Sequence, residues 1–313
     1  MGGSPTTIIA RWLPANPQTA LNLFCRSLTS STSRPATSRG RYAIQVRTLR
    51  LPASEQNGTE GRNMYIVRNM TEDGENVSVL VEDPAAAPRV RRLDKGKGKA
   101  KMEEGDELMA LEALASGHEE DEYAHGRWTF STIALPPGTC SSSTTPGASA
   151  IFDTFIQRTL FTPPPPDAPP GQSGGGFWQP RAASVSIEGH AFSVGVATGV
   201  AGDWTIKVGN VLVKGGTASG TVRGCVVEMT YLPVPYLPCS STHVKDFLFS
   251  LFPPAAMQNG EVEILQVGEE LFQDAGLLDP PDADEGEEEG EWEWQDKHSI
   301  LAYVHQFKKE GLI

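Results

Sequence analysis

The pattern of apolar and polar residues along the chain predicts strands in eight places and helices in four. In the stretch Val77–Glu82, valine occupies every second position, and Leu80 between two of the valines indicates a strand that is buried on both faces. The predicted strands are Thr6–Leu13, Tyr42–Leu51, Asn63–Asn69, Val77–Glu82, Arg127–Leu135, Ala183–Gly189, Trp204–Lys214 and Val222–Leu232.

Helical spacing is clearest near the end of the chain, where Ile300, Tyr303 and Phe307 recur three or four residues apart. Pro253 follows the third predicted helix and cannot continue it. Eight strands with four helices favour an α+β fold, in which about eight strands form an antiparallel, barrel-like sheet with helices packed against it. The predicted helices are Asn16–Leu28, Ala150–Phe161, Thr242–Phe252 and Asp296–Glu310.

Four further segments have compositions that do not build a hydrophobic core. They are rich in charge, or in Pro, Gly and Ser, so they bury too little apolar surface to offset the entropy of ordering the chain. We therefore interpret residues 1–313 as one domain that is interrupted by four insertions or linkers. These segments are 84–126, 136–149, 162–176 and 279–295.

The formal net charge of −13 originates in three stretches. Seven bases and one acid lie between Arg89 and Lys101, whereas Glu103–Glu122 and Asp279–Asp296 hold nine and ten acids and no base. The rest of the chain is close to neutral. Because affinity for phosphate is built mainly from basic residues, this balance disfavours a dedicated DNA- or RNA-binding protein.

The basic stretch is also typical of a nuclear import signal, since it has two basic clusters in a segment that we expect to be accessible. The alternatives are a weak contact with nucleic acid and a solvated linker that its own charge keeps extended. The residues of the possible import signal are Arg89, Arg91, Arg92, Lys95, Lys97, Lys99 and Lys101.

Three further sequence features bear on the cellular location of the protein. The four cysteines form no CxxC pair, which favours free thiols in a reducing compartment. No stretch approaches the ~20 continuous apolar residues of a membrane-spanning helix. Residues 1–54 hold seven arginines and no acid, as mitochondrial transit peptides do. However, the strand and helix predicted within them favour an N-terminal segment that belongs to the domain. The cysteines are Cys25, Cys140, Cys225 and Cys239.

Motifs of common enzymes are missing from the sequence: there is no P-loop, no GxSxG and no HExxH. We therefore expect no cofactor and no catalytic or metal-binding residue. One pair of carboxylates, Glu261 and Glu263, would share a strand face, as metal ligands do in triphosphate tunnel enzymes. Those enzymes have a lysine two positions further on, where this chain has Leu265. A metal-dependent phosphohydrolase of the tunnel type is the alternative hypothesis.

Two predicted strands that follow each other carry a family pattern. In Asp203–Val211 an aromatic residue leads into a hydrophobic-Lys-Val-Gly strand, and Arg223–Tyr231 begins with Arg-Gly and ends with an acidic residue and Tyr. These motifs, and their order among the other elements, resemble subunit 20 of the Mediator complex over most of the chain outside the four insertions. The residues that carry the resemblance are Trp204, Lys207, Val208, Gly209, Arg223, Gly224, Glu228 and Tyr231.

The resemblance implies a barrel-like antiparallel fold related to that of a partner, Mediator subunit 18, with which the family forms a heterodimer. It implies attachment to the Mediator head through the C-terminal helix of subunit 8. The family is a non-catalytic, nuclear coactivator that links gene-specific activators to RNA polymerase II. The motif strands are then structural or interface elements, and neither a cofactor nor direct sequence-specific nucleic-acid binding is implied.

Overall fold

Eleven strands and six α-helices make up the part of the chain that the computed structural model describes. That part comprises residues 3–30, 35–52, 61–71, 74–86, 127–135, 148–161, 178–195, 202–215, 220–238, 241–278 and 293–313. The strands are β1 (Gly3–Pro5), β2 (Thr7–Trp12), β3 (Ala36–Leu51), β4 (Arg62–Thr71), β5 (Gly74–Glu82), β6 (Trp128–Leu135), β7 (Gln179–Val194), β8 (Trp204–Lys214), β9 (Thr221–Tyr231), β10 (Tyr236–Pro238) and β11 (Val262–Ile264). The helices are α1 (Pro17–Ser30), α2 (Ala148–Ile156), α3 (His243–Ser250), α4 (Pro254–Gln258), α5 (Glu269–Asp274) and α6 (Asp296–Lys309), and α2 continues as a π-helix over Gln157–Phe161.

Nine of the strands form one antiparallel sheet, in the order β11-β2-β9-β8-β7-β3-β4-β5-β6. This confirms the predicted α+β class with a large antiparallel sheet. The sheet is open rather than closed into a barrel, because within the described ranges β11 and β6 each pair with a single sheet strand. A separate two-stranded sheet joins β1 to β10.

All eight predicted strands are present, and the differences lie at their ends. β3 begins at Ala36 rather than at Tyr42, and β7 runs from Gln179 to Val194, because the two strands pair with each other over almost their whole length. Three-residue strands such as β1, β10 and β11 are too short to show a periodic pattern, so they escaped prediction. The four predicted helices are confirmed as α1, α2 with its π-helical extension, α3 and α6.

The sheet is covered on both faces. Neighbouring residues of β9 show this, since Val226 belongs to a core cluster with α5 and α6, whereas Cys225 and Val227 belong to a cluster with α1 and α3. A third cluster lies beneath α2, over β4 and β5, on the same side of the sheet as α1 and α3. We refer to the two sides as the α6 face and the α1 face.

Candidate functional site

The two motif strands are neighbours in the sheet, and their residues lie in register. β8 and β9 pair antiparallel with Lys207 directly opposite Glu228. The Lys207 ammonium nitrogen lies 2.8 Å from Oε1 of Glu228. It also lies 3.5 Å from Oδ1 of Asp296, the first residue of α6. These two motif positions therefore form an ion pair that reaches the start of α6.

Glu228 is the centre of this arrangement, and both of its carboxylate oxygens accept hydrogen bonds. Its exposed fraction is 4%, and the Tyr303 hydroxyl of α6 donates to Oε2 at 2.6 Å. Burial pushes the pKa of Glu228 up, but the charge of Lys207 and side-chain hydrogen bonds outweigh it and hold the pKa below its ordinary value. The charge of Glu228 in turn raises the pKa of Lys207. We call Lys207, Glu228, Asp296 and Tyr303 the Glu228 hub.

Trp204 and Tyr231 lie opposite each other at the other end of the motif and attach α3 to the α1 face. Their ring centroids are 4.6 Å apart. Two residues of α3 pack on the indole of Trp204, with the ring of Phe247 at 4.4 Å and the ring of His243 at 5.3 Å. These aromatic motif positions are therefore part of the packing between the sheet and a helix.

Val208 and Gly209 occupy the middle of β8, and both are packing positions. Val208 is fully buried in the core of the α1 face. Gly209 lies opposite Gly189 of β7. A Cβ atom at Gly209 would lie 2.7 Å from Cγ2 of Ile187 and 3.0 Å from the hydroxyl oxygen of Tyr42, so a larger residue would displace one of them.

Arg223 and Gly224 form a β-bulge, because together they stand opposite the single residue Val211 of β8. Gly224 has a φ of 111°, which disfavours other residues. A Cβ atom there would lie 2.5 Å from the carbonyl oxygen of Trp12. The bulge directs the Arg223 carbonyl toward Arg11, whose Nη2 donates to it at 2.6 Å.

Arg11 of β2 is an important side chain that the sequence analysis missed. It is fully buried, and its Nε and Nη2 donate to the two carboxylate oxygens of Glu310 at 2.9 and 3.0 Å. Nη1 also donates to the carbonyl of Cys225 at 3.2 Å. Arg11 thus joins β2, the bulge of β9 and the residue that follows α6. The available signal was that Arg11 is the single charged residue in the predicted strand Thr6–Leu13.

The Glu228 hub and the Arg11–Glu310 pair are two polar anchors of the α6 region, and a third connects α6 to the far side of the sheet. Lys308 forms an ion pair with Glu82 at the end of β5, and Tyr65 of β4 donates to the same carboxylate at 3.1 Å. The anchors of α6 therefore reach from β2 across to β5. This helix, together with α5, covers one face of the sheet.

The two carboxylates of the alternative hypothesis lie at the β11 edge. Glu261 accepts a hydrogen bond from the indole nitrogen of Trp12 at 3.2 Å. Glu263 is more than half exposed and lies 3.9 Å from the ammonium of Lys309. Among the residues that the structure describes, no three His, Cys, Asp or Glu side chains are grouped as metal ligands would be. Phosphohydrolase activity stays an untested hypothesis.

Several predictions fall outside the described ranges. The possible import signal at 89–101 lies there, as do nearly all residues of the four proposed insertions and Cys140 and Cys239. Of the described thiols, both are free, and burial raises the pKa of Cys225 to about 12. The N-terminal segment contributes β2, α1 and β3 to the domain, as expected. None of the described helices combines the length and the apolar character needed to span a bilayer.

Comparison with known proteins gives structural similarities alone. No protein family and no curated protein matches the sequence. The fold is weakly similar to the Schizosaccharomyces pombe Mediator head module, with a TM-score of 0.27 and 8% identity over 82% of this chain and 96% of that one. It is also weakly similar to the PH1819 protein of Pyrococcus horikoshii OT3, with a TM-score of 0.29 and 9% identity over 78% of this chain and 88% of that one. At such TM-scores neither likeness carries a functional inference.

Proposed function

We propose that this chain is a non-catalytic subunit of the Mediator head module, of the subunit 20 type, and that it acts by binding other subunits. The observation that carries the proposal is the environment of the motif residues. Lys207 and Glu228 neutralise each other inside the domain, and Trp204 and Tyr231 pack beneath α3. The residues that resemble the family are used to build the fold.

A catalytic role for the motif would require a carboxylate or an ammonium group that is available to contact a substrate. Both oxygens of Glu228 already accept hydrogen bonds from Lys207 and Tyr303. Replacing these protein donors by a ligand would leave a buried charge without its partner, at a cost of about 3–5 kcal/mol. The motif is therefore suited to a structural role. In the proposed function, other subunits bind to the surface of the domain instead.

That surface offers apolar area for partners. Among the described residues, eight large apolar side chains are more than a third exposed. Buried interface cores are rich in such side chains and poor in charge. In the proposed function the chain pairs with subunit 18, is connected to the head through the C-terminal helix of subunit 8, and helps transmit regulatory signals to RNA polymerase II in the nucleus.

Co-expression with the subunit 18 homologue of the same genome tests the proposal. We expect the two chains to co-purify and to elute together in size-exclusion chromatography as a one-to-one complex. An unrelated antiparallel β-protein with the same tag is the control for capture by an open sheet edge. A chain that remains monomeric beside its proposed partner would contradict the pairing.

The alternative is tested separately. A triphosphate tunnel enzyme would release phosphate from a nucleoside triphosphate in the presence of manganese, and the Glu261→Ala and Glu263→Ala substitutions would abolish that release. We expect no release above that of a protein-free control. Activity that disappears in both variants would replace the proposed function by the enzymatic one.

A further inference from the structure

The connection between β9 and β10 has an unusual backbone. Together with β10 it spans Leu232–Pro238, and six of these seven residues are proline or immediately precede proline, the exception being Tyr236. Proline fixes its own φ, and it restricts the preceding residue to extended or polyproline II conformations. We call residues Leu232–Pro238 the proline corner. Its backbone is therefore restricted to few conformations even without a partner.

The proline corner is also fixed at both ends. The Leu232 amide donates to the carbonyl of Asp203 at 2.8 Å, and the other end of the segment, Tyr236–Pro238, is β10. β10 within it pairs with β1. Just before it, Tyr231 is packed on the indole of Trp204. The segment is thus attached to Asp203 at its start and to β1 at its end.

The side chains that it presents are apolar and exposed. Leu232 is 48% exposed, Val234 37% and Tyr236 40%, so three of the eight large exposed apolar side chains among the described residues fall within five consecutive positions. Next to them, Leu237 and Val244 line a groove of about 400 Å³ that reaches β2. Clusters of this kind on a soluble protein mark interaction sites.

The absence of charge in the sequence of this region restricts the kind of partner. No charged residue occurs from Tyr231 to Thr242. Anionic lipid surfaces and nucleic acids are recognised through clustered Lys and Arg, which this segment does not have. One charged residue, Lys245, lines the neighbouring groove. The corner itself offers no charge to a partner, and a Pro-rich segment with an exposed aromatic ring fits an uncharged, aromatic-lined groove of a folded protein.

We propose that the proline corner is the exposed segment by which this protein docks into an uncharged, aromatic-lined groove of a partner protein. The inference rests on the proposed function, and it identifies which part of the surface carries the binding. Because the corner is ordered in advance, little conformational entropy is lost on docking. Substitution of its apolar side chains should then weaken binding strongly while leaving the domain folded.

The test compares two triple variants of the full chain. The corner variant carries Leu232→Ser, Val234→Ser and Tyr236→Ser. The control variant carries Leu23→Ser, Ile133→Ser and Ile151→Ser, at positions that are 46%, 48% and 56% exposed on three other elements. The probe is the purified subunit 18 homologue, and affinity is measured by isothermal titration calorimetry. We expect at least a tenfold loss of affinity for the corner variant and less than a twofold change for the control.

A second measurement needs no substitution. The Leu232 amide already donates to Asp203, so in hydrogen–deuterium exchange of the wild-type chain the other three amides of the proline corner should become more protected when the probe is added. Failure of the proposed function and failure of this inference give different results. A wild-type chain that does not bind the probe overturns the proposed pairing and this inference with it. Binding that is equal in both variants, without protection of the corner, overturns the inference alone. Wild-type self-association that the corner variant loses would identify a second copy as the occupant and would also overturn it.

Discussion

Replacing Lys207 by methionine should reverse the pH dependence of stability that the Glu228 hub contributes. In the wild-type protein the pKa of Glu228 lies below its ordinary value. Its contribution to stability is therefore present above pH ~4.3, the unfolded value, and is lost as the pH falls through the folded pKa. In the Lys207→Met variant, burial acts on Glu228 without the compensating ammonium and raises that pKa. Stability should then increase on acidification from pH 7 to pH 5.

The magnitude follows from the burial of the pair. Removing one partner of a buried ion pair costs about 3–5 kcal/mol. The Lys207 side chain is 21% exposed, so we expect the lower end, about 3 kcal/mol at pH 7. For a domain of this size such a loss lowers the melting temperature by roughly 6–12 °C. The double variant Lys207→Met/Glu228→Gln should lose less than the single one, because the neutral amide still accepts from Tyr303 and no charge is left buried.

Strand β8 supplies a matched control. Lys214 forms a cross-strand ion pair with Glu188, but both side chains are 46% exposed. Lys214→Met should cost less than about 1 kcal/mol. The assay is equilibrium urea unfolding at pH 5 and pH 7, followed by the fluorescence of the six tryptophans. Equal losses in the two lysine variants, or a Lys207→Met variant that becomes less stable on acidification, would refute the reasoning about the hub.

Three further predictions concern the bulge, the buried arginine and the basic segment. Gly224→Ala should lower the unfolding free energy by at least about 2 kcal/mol in urea, because of its positive φ and the nearby carbonyl, whereas Gly220→Ala, with open space around it, should cost about 1 kcal/mol. Arg11→Met should cost about 3–5 kcal/mol in the same assay, and Glu310→Gln should cost a similar amount because it leaves the fully buried guanidinium of Arg11 without its counter-charge. Alanine at all seven bases of 89–101 should reduce the nuclear-to-cytoplasmic ratio of a fluorescent fusion, as imaging would report.

Each of these has a clear contrary result. Equal costs at the two glycines would show that the close approach at Gly224 is relieved by a small shift of the backbone. A near-neutral Arg11→Met variant would mean that its four hydrogen bonds add little beyond those that water offers to the unfolded chain. Unchanged nuclear accumulation would assign the basic segment to the role of a solvated linker.

The sequence predicted the long elements well because each carries a full period of its pattern. β8 and β9 are eleven residues long and rich in β-branched residues, and α6 repeats apolar residues three and four apart over fourteen residues, which is enough to identify the type of each element. The short strands β1 and β10 give no periodic signal, and they are defined by their pairing with each other. The open edge of the sheet was not predictable either, because closure depends on strand tilt and stagger.

The site was predicted at the level of residues but not of contacts. Lys207 and Glu228 were singled out as motif positions, yet their ion pair depends on the register of β8 and β9, which alternation alone does not fix. Tyr303 is 75 residues away from Glu228 in sequence, and its apolar helical spacing indicated a core position. The anchoring role of Arg11 was missed for the same reason, since its partner Glu310 lies near the other end of the chain.

The most direct test of the proposed function is purification of the tagged chain from nuclear extract of its own organism, with mass spectrometry of the proteins that elute with it. Mediator head subunits, with the homologues of subunits 18 and 8 among them in comparable amounts, are the expected result. Recovery of the chain alone, or with a reproducible set of partners that contains no Mediator subunit, would contradict the account.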